Sequence, residues 1–220
     1  MISKFNELET LFREIDDHLH INLNLYIIGG AVLLYHGLKP STKDIDVITT
    51  DKKQHLEFDR VLKSINFKKI SPSDVYKKLD LSFIAERKDY RIDTFNKTVC
   101  KKLSLSKEMR KRADEIVSLS KLKVFLCSNE DILLFKSITE REGDIEDCIS
   151  LIQNGVNWQI VLEEIKSQVK TSKQNVWVTW IGERFDILQE RNINVLIIDE
   201  INKLRKEYFE NIDKNKRKRK

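Results

Sequence analysis

Two aspartates stand two residues apart in the run Asp44-Ile45-Asp46-Val47-Ile48. In an extended strand, side chains two apart leave the same face. Both carboxylates therefore aim to one side while Ile45 and Val47 pack on the other. Carboxylates held that close repel, and a divalent cation between them removes the penalty. Upstream, the apolar run from Leu25 to Ile28 ends in Gly29-Gly30. Glycines after a buried strand let backbone approach a ligand closely, and they open a helix whose N–H groups favour phosphate. A third acid, Asp93, sits between Ile92 and Phe95 in a short apolar strand. A carboxylate there is costly unless something compensates it, and a metal is the simplest candidate. The competing reading pairs Asp93 with Arg91 or a lysine on an edge strand. Asp80 is the competing acid of this region, although acids at strand starts are commonly solvated. The plain alternative for the whole arrangement is a Gly-Gly turn and a solvated strand end.

These residues need a frame. Residues 4–19 carry apolar side chains at helical spacing, with Phe5, Leu8, Leu11, Phe12, Ile15 and Leu19 on one stripe. A strand over 23–28, a helix over 30–36, a loop with turn residues Gly37, Pro40 and Ser41, and a strand over 44–49 follow. A helix over 53–65 leads to a hairpin with strands at 79–85 and 91–95 about the polar turn Glu86–Asp89. Residues 122–127 read as a last strand. Ser128 to Asp131 has the form of a capping box, and its helix runs on until Gly143 breaks it. Asp144 starts another helix, and from Val156 the chain is helical, over 158–169, 176–188 and 195–209. The pattern predicts an α+β fold, a mixed sheet with flanking helices plus a C-terminal helical region. The divisions are a core over 1–127, a helical part over 128–213 docked on it, and a basic disordered tail over 214–220.

The chain has 220 residues, 40% hydrophobic and 34% charged, which suits a folded, soluble protein. No run of 18 apolar residues exists, so no membrane span is expected, and the acidic, amphipathic N-terminus does not read as a signal. Cys100, Cys127 and Cys148 are scattered, which points to buried thiols in a reducing, cytoplasmic setting. The formal charge of +5 resides in the last ten residues, with six Lys or Arg against one Asp. That tail adds nonspecific nucleic-acid affinity. Lys101, Lys102, Lys107, Arg110, Lys111 and Arg112 form a second basic stretch, either a solvated surface or a track for nucleic acid or triphosphate. His18 and His20 read as solvated residues at a helix end, and Trp158, Trp177 and Trp180 as helical core.

The stretch Ile28-Gly29-Gly30 followed by Asp44-Ile45-Asp46 resembles the signature of the polymerase-beta-like nucleotidyltransferases: apolar-Gly-Gly/Ser, a gap, then Asp-apolar-Asp. The segment after residue 127 resembles the AbiEii-like branch of that superfamily, where Lys136, Arg141, Asp144 and Asp147 fit its Lys…Arg-x-x-Asp-x-x-Asp pattern. The branch usually has a basic residue and then a Thr before Asp-x-Asp. Here the loop reads Lys39-Pro40-Ser41-Thr42-Lys43, with Pro40 at a commonly basic position and Lys39 or Lys43 as the substitute.

The resemblance implies a metal-dependent transfer of a nucleoside monophosphate from a nucleoside triphosphate to an acceptor hydroxyl. It implies Asp44, Asp46 and Asp93 as catalytic, metal-binding carboxylates holding Mg²⁺ or Mn²⁺. Gly29, Gly30, Ser41, Thr42 and Lys43 would cradle the nucleotide, with Lys136 on the triphosphate and Asp147 and Asp144 orienting it. By the same resemblance the acceptor is a tRNA 3′ end or a protein, and a toxin–antitoxin role brings an antitoxin partner. The rival reading is a catalytically silent nucleotide-binding or toxin-partner module of the same fold, and a third reading is a nucleic-acid binder led by its tail.

Overall fold

The computed structural model describes residues 1–71, 81–88, 90–139, 141–172 and 175–217. The chain folds as two compact units, Met1–Ile132 and Leu133–Lys220.

The first unit is built on a sheet. Helix α1 (Glu7–His18) buries Leu8, Leu11, Phe12 and Ile15, the stripe that 3.6-residue spacing predicts. Strand β1 (Leu23–Ile28) is apolar at nearly every position because both its edges are paired and both its faces are covered. A short helix α2 (Gly30–Tyr35) follows directly, then β2 (Ile45–Thr49). Helix α3 (Lys52–Ser64) starts at Asp51, whose side chain accepts the Gln54 N–H at 2.9 Å. Strands β3 (Lys68–Ile70), β4 (Phe83–Arg87) and β5 (Tyr90–Asn96) come next. A small hairpin, β6 (Thr98–Val99) and β7 (Leu103–Ser104), leads to α4 (Lys107–Arg112), β8 (Asp114–Ser118) and β9 (Leu122–Leu126).

Seven strands form one mixed sheet in the order β3-β4-β5-β2-β1-β9-β8. Strand β1 runs antiparallel to β2 and parallel to β9, while β2 runs parallel to β5. Helices α1 and α3 pack on this central group. Leu23, Leu25, Ile27, Leu122, Val124 and Leu126 are at most 1% exposed, and burying each such side chain contributes about 1.5–3 kcal/mol. Tyr26 and Phe125, register partners on β1 and β9, stack at 4.8 Å.

Helix α5 (Asn129–Ser137) opens at Ser128, whose hydroxyl accepts the Asp131 N–H at 3.4 Å. The rest of the chain is helical: α6 (Glu142–Gln153), α7 (Trp158–Thr171), α8 (Trp177–Glu190) and α9 (Ile198–Arg217). Trp177, Val178, Ile181, Phe185 and Leu188 form the buried side of α8.

Several elements differ from the sequence reading. Helix α5 stops at Ser137 and not at Gly143; the Ser137 and Thr139 hydroxyls bond back to the carbonyls of Leu133 and Lys136, a local competition that ends helices. Gly143 lies inside the first turn of α6. Strand β8 and the β6–β7 hairpin escaped a reading that took 97–127 as mixed. Helix α9 runs to Arg217, past residue 214, where the sequence suggests a disordered tail. Asp80 lies outside the described residues. No helix among them is long and apolar enough to cross a membrane.

Candidate active site

Asp46 on β2 and Asp93 on β5 are register partners in parallel strands. Partners in register project to the same face of a sheet. Asp46 also stands opposite Ile28, and Asp93 opposite Ile84. One row across four strands thus reads Ile84, Asp93, Asp46, Ile28, two acids bracketed by two buried isoleucines.

Asp93 is 1% exposed, and both of its oxygens accept from Arg91, Nε at 2.8 Å and Nη2 at 3.0 Å. The i, i+2 spacing puts the two side chains on one face of β5, and the bidentate fork offsets the cost of burying the carboxylate. The pairing with Arg91 is thus present. The edge-strand setting is not, because β5 lies between β4 and β2.

Gly29 follows β1 with φ of +71°, a conformation that side chains disfavour. A Cβ built on it would lie 2.1 Å from Asp46 Oδ2. The absent side chain is what lets the carboxylate lie against the backbone. Gly30 has the same relation to Thr42, whose Oγ1 would meet a Cβ at 2.7 Å. The glycine pair therefore receives Asp46 and Thr42 here, and the close approach that the sequence suggests for a ligand is made by protein side chains.

Thr42 is buried, donates from Oγ1 to the Asp44 carbonyl at 3.0 Å, and exchanges two 2.9 Å backbone bonds with Ile2. Chain residue 2 thereby pins the loop that delivers β2. No spacing pattern in the sequence signals that bridge. Ser41 donates to the Met1 sulfur at 3.1 Å, Lys43 is exposed, and Asp44 is half-buried just before β2.

Among the described residues, no three His, Cys, Asp or Glu side chains converge into a group able to hold a metal ion. The structure brings Asp46 and Asp93 side by side without gathering Asp44 with them. The donor chemistry nevertheless fits a hard divalent cation, since all three candidates are carboxylates.

Lys136, Arg141, Asp144 and Asp147 meet within the helical unit. Lys136 Nζ lies 2.9 Å from Asp144 Oδ1 and 2.6 Å from Asp147 Oδ2. Asp144 and Asp147 share one face of α6, as their spacing predicts. Arg141 reaches Asp144 through Nε at 2.8 Å and Nη2 at 3.1 Å, and the Thr139 hydroxyl donates to Asp144 Oδ2 at 2.5 Å. Burial works to raise the Asp144 carboxyl, but Lys136 and Arg141 outweigh it and hold it at about 2. Burial works equally to lower Lys136, and the two aspartates overcome it and raise it. Arg184 from α8 donates to the Thr139 carbonyl, a tie that no motif announced.

Part of the basic stretch is also absorbed. Arg112 clasps Asp131, which is fully buried, with Nη2 to Oδ1 at 2.6 Å, so the acid of the capping box faces an arginine from α4. Lys111 pairs with Glu108.

A family model described as nucleotidyltransferase of unknown function (DUF6036) matches residues 3–187. No curated protein matches this chain. Among solved structures, ANT(2″)-Ia in complex with adenylyl-2″-tobramycin is similar at 13% identity with a TM-score of 0.51, over 76% of this chain and 98% of that one. The solution structure of the antibiotic-resistance factor ANT(2″)-Ia has 13% identity and a TM-score of 0.48, over 86% and 96% of the two chains. An antigenic nucleotidyltransferase-like protein from Paracoccidioides brasiliensis has 20% identity and a TM-score of 0.42, over 76% and 85%. The likeness to the first is one of fold: a mixed sheet with flanking helices.

Proposed function

The chain belongs to the DUF6036 nucleotidyltransferase family, and from that premise we propose that it moves a nucleoside monophosphate from a nucleoside triphosphate to an acceptor hydroxyl, with Asp44, Asp46 and Asp93 as the reacting carboxylates. The observation that carries the reading is the Asp46–Asp93 register pair beside Gly29. The acceptor oxygen attacks the α-phosphorus, the bond to the bridging oxygen breaks, and pyrophosphate leaves. Asp93 takes the hydroxyl proton, which requires Arg91 to release one of its oxygens. Mg²⁺ held by the three aspartates would supply charge neutralisation at the attacked phosphate and the leaving pyrophosphate. Gly29, Gly30, Ser41, Thr42 and Lys43 line the approach of the triphosphate. Lys136, held by Asp144 and Asp147 within the helical unit, is the cation that the resemblance assigns to the triphosphate charge.

The spacing of Lys136, Arg141, Asp144 and Asp147 supports the AbiEii-like branch, and with it an RNA or protein acceptor, a cytoplasmic setting and an antitoxin partner. ANT(2″)-Ia, whose complex holds an adenylylated antibiotic, makes a small-molecule hydroxyl the second acceptor class to test. The test is label transfer. The protein is incubated with each α-labelled nucleoside triphosphate, Mg²⁺, total RNA, cell protein and, separately, an aminoglycoside, beside Asp44→Ala/Asp46→Ala. Label in one acceptor only with the intact chain supports the reading. No transfer to any acceptor by a folded protein overturns it in favour of a silent nucleotide-binding module.

A further inference from the structure

We propose that Arg184 on α8 is the anchor of a phosphate-binding site inside the helical unit. The first observation is a missing counter-charge. Arg184 is 4% exposed. Its Nη2 donates to the Thr139 carbonyl, a neutral acceptor. Nε and Nη1, which carry three of the five guanidinium N–H donors, are buried and meet no acceptor among the described residues. A charge taken out of water without a counter-ion is costly, and orphaned buried donors call for an absent ion or water.

Other arginines are held differently. Arg87, Arg91, Arg112, Arg141, Arg191 and Arg205 each pair with a carboxylate, although their side chains are 18–39% exposed and within reach of water. The one buried arginine among the described residues is thus the one that lacks an acid. The buried acids of its unit are engaged by other groups: Asp144 by Lys136 and Arg141, Asp147 by Lys136, Glu164 by Gln168.

The second observation is what lies nearby. Burial pushes the Cys148 thiol up to about 12, and Lys136 and Arg184 pull against that, so both cations lie around one buried point on α6. Lys136 gives N–H donors to Asp144 and Asp147, and an ammonium has three. Lys136, Arg141 and Arg184 therefore face Asp144 and Asp147 with one positive charge in excess. Access comes from the turn between α5 and α6. Arg184 is tied to that turn through Thr139, and Thr139 and Arg141 on it are part-exposed. An anion that exchanges with the Thr139 carbonyl reaches the guanidinium without crossing the core.

A phosphate group fits better than a carboxylate. It brings up to about two negative charges and three acceptor oxygens, enough to serve a guanidinium and an ammonium together. Its source is free phosphate or pyrophosphate, or the triphosphate of a nucleotide. Only the last source rests on the transferase reading.

The test is a melting series on the full chain, with a chelator and no acceptor, so transfer plays no part. Sodium phosphate, pyrophosphate or a nucleoside triphosphate replaces sodium chloride at equal ionic strength and pH, with sodium acetate as the carboxylate arm. Phosphate at about a hundredfold excess over its Kd should raise the melting temperature by about 5 °C or more. The Arg184 Nε–H signal in proton–nitrogen spectra should move with it. Arg184→Met should melt at or above the parent in chloride, because it removes an uncompensated charge, and should gain nothing from phosphate. Arg184→Lys, whose spectrum identifies the Nε–H signal by its loss, should bind roughly tenfold more weakly. A larger rise with phosphate or pyrophosphate than with the triphosphate makes the ligand a free anion, and the reverse makes it the nucleotide. An equal rise in the parent and Arg184→Met overturns the proposal, and so does an acetate effect as large as that of phosphate. A stationary Nε–H signal in the parent overturns it even where Arg184→Met fails to fold.

Discussion

Asp46 and Asp93 are register partners on adjacent parallel strands, yet their carboxylates meet different neighbours: that of Asp93 lies in the fork of Arg91, that of Asp46 against Gly29. The pair shares one face of the sheet, and the difference between its members dictates what each substitution does.

Asp46→Asn should lower kcat by on the order of a thousandfold, the scale of losing one preorganised electrostatic group. The amide is isosteric, so the melting temperature should hold. Label transfer and a thermal melt on the same preparation check both, and transfer at the parent rate rejects Asp46 as a reacting group.

Arg91→Met separates two roles of Asp93. It removes the bidentate fork from a buried carboxylate and should destabilise the fold by up to about 3 kcal/mol, read by urea denaturation. If Asp93 accepts the proton, its basicity rises without the guanidinium, and the acid limb of the kcat–pH profile should move upward. An unmoved limb means that Arg91 and Asp93 form a structural pair.

Gly29→Ala and Gly37→Ala make a controlled comparison. Both glycines have φ of +71°, but a Cβ at Gly37 meets nothing within 4 Å, whereas one at Gly29 strikes Asp46. Gly37→Ala should cost about 1 kcal/mol through backbone strain alone. Gly29→Ala should cost more and remove transfer activity by displacing Asp46. Equal stability and activity in the two variants would show that the Asp46 side chain has room to move aside.

The Asp144 carboxyl, held at about 2 against an ordinary value of 3.8, gives the helical unit an acid-sensitive term. Because the folded value is the lower one, the stabilisation is complete above 3.8 and is lost as pH falls toward 2. It amounts to about 2 kcal/mol. Lys136 is raised, so its contribution is present below its ordinary value of 10.5 and disappears only as pH rises through its folded value. Urea midpoints measured from about pH 5 to 2.5 should fall more steeply for the parent than for Asp144→Asn.

Lys136→Met tests whether that lysine serves the fold, the triphosphate or both. A purely structural lysine leaves KM for the nucleotide unchanged in whatever fraction stays folded. A lysine that also meets the triphosphate raises KM or lowers kcat beyond the loss of folded protein.

Much of this was legible from the residues. The strand at 23–28 announced itself because a central strand is apolar on both faces, and Gly29-Gly30 marked its end. Asp93 stood out because an acid between Ile92 and Phe95 is costly; the sequence pointed first to a metal as its compensation, and the pairing with Arg91, read there only as the competing possibility, is the contact present. Strand β8 was hidden because its sequence, Asp114-Glu115-Ile116-Val117-Ser118, is half polar, as suits the outer strand of the sheet. The Ile2–Thr42 bridge and the Arg184–Thr139 tie join residues far apart in sequence, and no local periodicity encodes such pairings. The end of α5 at Ser137 was missed because hydroxyl-to-carbonyl competition is weaker as a signal than the glycine at 143.

The order of the central strands also sets when the site comes into being. Residue 46 finds residue 93 only after β2 and β5 align in parallel, and β1 meets β9 across nearly half the chain. Such pairings close large loops before any interaction compensates the lost entropy, which slows folding. The helical unit, built from neighbours close in sequence, has no such delay. On refolding from denaturant, helical signal should therefore return first and transfer activity last, in step with the sheet.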